Sequence, residues 1–117
     1  MSIETKTLLK TTTTVGAFAG EKSKGAGYQK GNDGLHTIVF VLKNWSGEIR
    51  VQGTLALYPG EDDWFDLIDT NGNTVVVGDG SSDYDDTSSV NAVGQFVWLR
   101  AVGTVSAGEI TEIRYNY

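Results

Sequence analysis

The sequence predicts an all-β protein, and three observations carry that expectation. Ile49, Val51, Gly53, Leu55 and Leu57 alternate with Glu48, Arg50, Gln52 and Thr54, the period of a half-buried strand. Asn71-Gly72, the preferred pair of a tight type I′ hairpin turn, separates the short strand Trp64–Asp69 from Val75–Val77. The 15 glycines and single proline punctuate runs rich in threonine, valine and aromatics, with no heptad or sustained helical period. The expected architecture is an antiparallel β-sandwich of about seven or eight strands, with a jelly roll as one form and a small barrel as the alternative.

The elements follow in order. Lys6–Val15 reads as an extended N-terminal arm, since threonine and valine favour pleated backbone. Ala19–Gly34, rich in glycine and charge, reads as a mobile surface loop. The chain is one domain, divided into the arm and loop over 1–34 and the sandwich over 35–117. His36–Leu42 is a strand with both faces buried, and Asn44–Gly47 is a turn. The alternating strand follows, then a turn at Pro59-Gly60. Asp79–Asn91 is an acidic loop, and Gln95–Val105 a central strand. Ser106-Ala107-Gly108 turns the chain into a last strand, in which Ile113, Tyr115 and Tyr117 alternate with Glu112, Arg114 and Asn116. Ile110 is out of phase with that set, which predicts a bulge near Thr111.

Charge is unevenly spread. Lys6, Lys10, Lys22, Lys24 and Lys30 outnumber Glu4 and Glu21 in the N-terminal part. Glu61, Asp62, Asp63, Asp66, Asp69, Asp79, Asp83, Asp85 and Asp86 then follow with no basic residue among them. The net charge of −6 opposes binding to nucleic acid and to anionic membranes. With no cysteine, disulfides, thiolate metal sites and thiol catalysis are excluded. Met1–Thr14 has no apolar leader, so the expectation is a protein made in the cytoplasm without a signal peptide.

Several patterns raise a specific chemistry. Asp79, Ser81, Asp83 and Asp85 alternate oxygen ligands and form a candidate Ca²⁺ loop, although no glycine stands at the sixth position of an EF-hand spacing. The bland alternative, a solvated loop, is favoured, and no cofactor is expected. Asp62, Asp63 and Asp66 could pair as acid and base, but they flank a Trp-Phe strand in a domain with little room for a cleft. His36, the one histidine, lacks a nucleophile-elbow context and reads as an edge or core residue. Trp98 and Trp64 read as core. Trp45 and Tyr84 stand in turn or loop contexts and are the candidates for stacking on a glycan.

Trp45-Ser46-Gly47 leading into Val51-Gln52-Gly53-Thr54, then Asp63-Trp64-Phe65-Asp66, Gly94–Ala101 and Gly108-Glu109-Ile110 before Ile113, form a strand-and-turn series. It resembles that of small β-sandwich structural proteins of tailed bacteriophage virions. The resemblance implies a non-enzymatic protein that decorates a capsid or builds a neck, baseplate or fibre, beside other virion proteins and as a symmetric homo-oligomer. It carries no functional residues over. A trimer is the favoured symmetry, with Lys6, Lys10, Lys22 and Lys24 meeting Asp62, Asp63, Asp83, Asp85 and Asp86 of a neighbour. A carbohydrate- or receptor-binding module is the alternative.

Overall fold

The computed structural model describes residues 6–29, 34–78 and 87–117. Two long strands dominate it, β4 (Leu35–Thr54) and β8 (Trp98–Asn116), paired antiparallel along nearly their whole length. The N-terminal segment runs along the free edge of β8 as β1 (Lys6–Leu9), β2 (Gly16–Ala19) and β3 (Ser23–Lys24). The free edge of β4 is covered by β5 (Phe65–Asp66), β6 (Val76–Val77) and β7 (Thr87–Val93). Among the described residues the result is one eight-stranded antiparallel sheet, curled on itself. The expected all-β architecture is present.

The curl comes from breaks in register at mid-strand. Val41 pairs with Glu112 but Leu42 with Ile110, which leaves Thr111 as the extra residue of a bulge. This is the bulge expected from the phase of Ile110. Two further breaks lie at Asn44-Trp45 and at Ser106. Asn44–Gly47 and Ser106–Gly108 were both expected to be chain-reversing turns. Instead they bend two continuous strands, because the residues on either side stay paired across β4 and β8. Gly108 (φ +72°) and Gly103 make the bend possible, since a Cβ at either would overlap a carbonyl oxygen of the facing strand, that of Asn44 or Glu48.

Bending turns the inner faces of the two halves toward one core. Ile38, Phe40, Ile113 and Tyr115 come from one half, and Ile49, Val51, Leu99 and Ala101 from the other. Leu8 of the N-terminal segment joins them. The extended N-terminal stretch is thus docked on its own sheet. Thr7 Oγ1 donates to Glu112 Oε2 (2.7 Å) across the β1–β8 pair. That bond, followed by one from Arg114, holds the Glu112 carboxyl below its ordinary range.

The described part of the glycine-rich segment, up to Gln29, is also packed, against the expectation of a loose loop, and residues 30–33 of that loop lie outside the described residues. It contains β3 and one turn of helix, α1 (Ala26–Gln29), and Ala26 is fully buried. Gly25 and Gly27 let its backbone touch Phe96 and Gln95, where a side chain would collide with their carbonyls. His36 is buried beneath it. Ala26 N–H donates to His36 Nε2 (3.1 Å), and Nδ1 lies 2.8 Å from Gly34 O. That pair of bonds requires the Nδ1–H tautomer. Tyr115 Oη donates to Lys24 O (2.6 Å) and ties β3 to the end of β8.

The Asn71-Gly72 hairpin exists with a different turn. Asn71 keeps a negative φ, only Gly72 is positive (+86°), and Gly72 N–H donates to Asp69 O (3.0 Å). This is a type I turn closed by a left-handed glycine, where type I′ requires both central residues positive. Asp69 Oδ1 selects it by accepting from Asn71 N (2.9 Å) and Asn73 N (3.0 Å).

Three measurements check this fold. Leu8→Ala lowers unfolding free energy by about 2–4 kcal/mol in urea titrations, whereas a free arm would give almost no change. Gly103→Ala costs about 3 kcal/mol or more, while Gly72→Ala, with open space around it, costs about 1–2 kcal/mol. Burial pushes the Tyr115 phenol far above its ordinary range. The folded state therefore holds that proton after an unfolded tyrosine has lost it, and stability falls as pH rises beyond about 10. Tyr115→Phe reduces this alkaline slope and costs about 1 kcal/mol at neutral pH.

Candidate interaction surface

The outer face of the sheet follows from the phase of β8. Leu99 and Ala101 point into the core, so Trp98 and Arg100 point out. On β4, Glu48, Arg50 and Gln52 share that outer face, and Asp66 joins from β5, paired with Gln52. These polar groups satisfy one another. Arg50 donates to Glu48 Oε1 (2.8 Å) and Asp66 Oδ2 (2.9 Å). Gln52 donates to Asp66 Oδ1 (3.1 Å) and accepts from Arg100 Nε (2.9 Å). The two carboxylates, Glu48 first, raise the Arg50 guanidinium above its already high range. The Arg100 guanidinium also lies 4.3 Å from the centre of the Trp64 ring.

The tryptophans are therefore reversed relative to the sequence reading. Trp45 is fully buried, because the strand continues through it and its ring fills the bend. It cannot stack on a glycan. Trp98 and Trp64, read as core, are half-buried on the outer face, covered by cations. The signal that could have placed Trp98 was Arg100, two residues along the same face.

One end of this face carries a different chemistry. Beyond Thr54 the alternation of β4 ends: Thr54 Oγ1 accepts from Ala56 N (3.1 Å) and Trp98 Nε1 donates to Leu57 O (2.9 Å). These bonds turn the chain off the sheet. Leu55 and Leu57, expected on the buried face, are left 67% and 50% exposed, and Tyr58 90% exposed. The loop closes with a 3-10 turn over Glu61–Asp63, all three exposed. Asp63 Oδ2 accepts from Gly60 N (2.7 Å) and shapes that turn. Glu61 lies 3.7 Å from Arg100, and Asp62 has no polar partner among the described residues.

The basic residues fall on the other edge. Lys24, on β3, pairs with Trp98, and its Nζ sits 4.5 Å from the Tyr28 ring centre. Lys22 Nζ lies 5.0 Å from the Trp98 ring centre, and the Tyr28 and Trp98 rings are 5.0 Å apart. Neither ammonium has an acidic partner among the described residues. Lys10 and Lys22 line an open groove of about 330 Å³ between β1 and β3, together with Thr7 and Glu21. Lys6 lies apart from these, 5.9 Å from the Tyr117 ring centre. Lys22 and Lys24 are thus brought to the same end of the molecule as Asp62 and Asp63.

The candidate Ca²⁺ residues Asp79, Ser81, Asp83 and Asp85, the acidic Asp86 and the glycan candidate Tyr84 lie outside the described residues. Among the described residues, no three His, Cys, Asp or Glu side chains are grouped to hold a metal. Asp66 is engaged with Arg50 and Gln52.

What fold and surface define is a small, single-sheet antiparallel β protein that displays apolar and oppositely charged side chains at one end. The chain shares this fold with the crystal structure of SPBc2 prophage-derived protein YomS, at a TM-score of 0.57 and 12% identity, over 98% of this chain and 91% of that one. At that identity the likeness is one of fold. No family model and no curated protein sequence matches the chain.

The position of Trp45 is open to direct test. Trp45→Ala lowers stability by about 3–5 kcal/mol, as removal of a core aromatic does. In a glycan-stacking position the same change would leave urea unfolding unaltered.

Proposed function

We propose that this chain is a non-enzymatic structural component of a bacteriophage particle and that it works as a homo-oligomer. The observation that carries the reading is the fold, shared over almost the full length of both chains with a prophage-derived protein. The side chains that might have served catalysis also serve the fold. Both ring nitrogens of His36 meet backbone atoms, and Asp63 shapes the turn at Gly60. The displayed chemistry at the Leu55–Asp63 end is suited to contact with protein: exposed leucines and a tyrosine, with Lys22, Lys24 and Asp62 lacking an ionic partner among the described residues.

Peptide mass spectrometry of gradient-purified phage particles tests the location. Peptides of this chain co-sedimenting with particles support the reading, and recovery only in the soluble fraction of the lysate overturns it. Sedimentation of the purified protein tests self-assembly. A discrete oligomer in the micromolar range is expected, and a monomer there removes that part of the proposal.

A further inference from the structure

We infer that the Leu55–Asp63 end is a two-fold contact between copies of this chain, with Tyr58 near the axis. The inference rests on the homo-oligomer reading and adds where the copies meet and with what symmetry, a two-fold in place of the trimer expected from the sequence. Sheet order supplies the argument. At this end the strands lie in the order β3, β8, β4, β5, because Trp98 and Leu99 pair with Lys24 and Ser23 on one side and with Thr54 and Gly53 on the other. Gly53 in turn pairs with Phe65, just after the acidic turn. The lysine edge and the acidic edge therefore lie three strand spacings apart, about 14 Å. The Leu57 carbonyl accepts from Trp98 Nε1 on β8, one of the two strands between those edges, and Leu57 and Tyr58 are exposed there.

This is a self-complementary arrangement. A rotation of 180° about an axis through the apolar centre carries the lysine edge of one copy onto the acidic edge of the other. Both edges are then matched at once, and the leucines and Tyr58 are covered. A head-to-tail contact would match one edge per copy pair and leave the other free. Lys22, Lys24 and Asp62 have no ionic partner among the described residues, so no intrachain pair need break before they meet a second copy. A tyrosine exposed to 90% beside two exposed leucines is the kind of central anchor that dominates association energy.

The absence of native cysteine makes the geometry directly readable. Tyr58→Cys is expected to form a disulfide-linked dimer on mild oxidation, whereas Val15→Cys, also exposed at 68% but away from this end, remains uncrosslinked. Tyr58→Asp is expected to weaken self-association at least about 30-fold by sedimentation, with the urea midpoint unchanged when both proteins are compared at concentrations where they are monomeric. Lys22→Glu with Lys24→Glu, or Asp62→Lys with Asp63→Lys, each dissociates the pair, and combining all four restores it. An oligomer that persists in Tyr58→Asp and in both charge reversals overturns the two-fold contact and leaves the homo-oligomer reading standing. A monomeric wild-type chain overturns both.

Discussion

The structure depends on the close backbone crossing at the bend of β4 and β8. A pair of strands this long, left straight, would expose both faces and enclose no core. The glycines at the bend let facing carbonyls approach to where any side chain would collide, and Trp45 fills the hollow on the inner side. Each component serves the same end. The bulges at Thr111 and Ser106 add twist, and the twist lets the halves face one another. Once they do, a single core forms from Leu8 to Tyr115, and the N-terminal segment has a surface to dock on.

Most of the fold was legible because its signals are local. The phase break at Ile110 located the bulge at Thr111, and the alternation of Ile49, Val51 and Gly53 located a half-buried strand. What escaped was long-range. Asn44–Gly47 has turn composition, and only the partner strand shows that the chain bends there and goes on. Glycine-rich Ala19–Gly34 reads as solvated until Phe96 is known to lie against it. The tryptophans were reversed for the same reason. Apolar neighbours suggest burial, but the side a strand residue faces is set by its phase, and Leu99 and Ala101 take the inner side.

The charge asymmetry visible in the sequence acquires a different meaning in three dimensions. A basic first part and an acidic middle part imply two separate faces. The antiparallel layout instead lays β3 and the Glu61–Asp63 turn along opposite edges of one end of the same sheet. Separation in sequence became proximity, because β8 and β4 sit between them. The candidate surface was only half legible on this account: Lys22, Lys24, Asp62 and Asp63 were named as contacts, whereas Leu57 was assigned to the buried face of the sheet.

Two neighbouring polar regions on the outer face show why that end differs from the rest. Along Glu48, Arg50, Gln52, Asp66 and Arg100 every charge has an intrachain partner. Such a ladder gains little from an incoming protein, which would have to desolvate groups already matched. Past Thr54 the ladder stops: Glu61 still reaches Arg100 at 3.7 Å, but Asp62 and the ammonium groups of Lys22 and Lys24 have no ionic partner among the described residues, while apolar side chains stand clear of the sheet. Covering them recovers apolar area, and pairing the Lys22 and Lys24 ammonium groups with carboxylates at the rim sets orientation. The same turn-forming bonds that end β4, from Ala56 N–H to Thr54 and from Trp98 to Leu57, lift Tyr58 into that exposed position. The termination of a strand and the creation of an adhesive end are, in this molecule, one structural event.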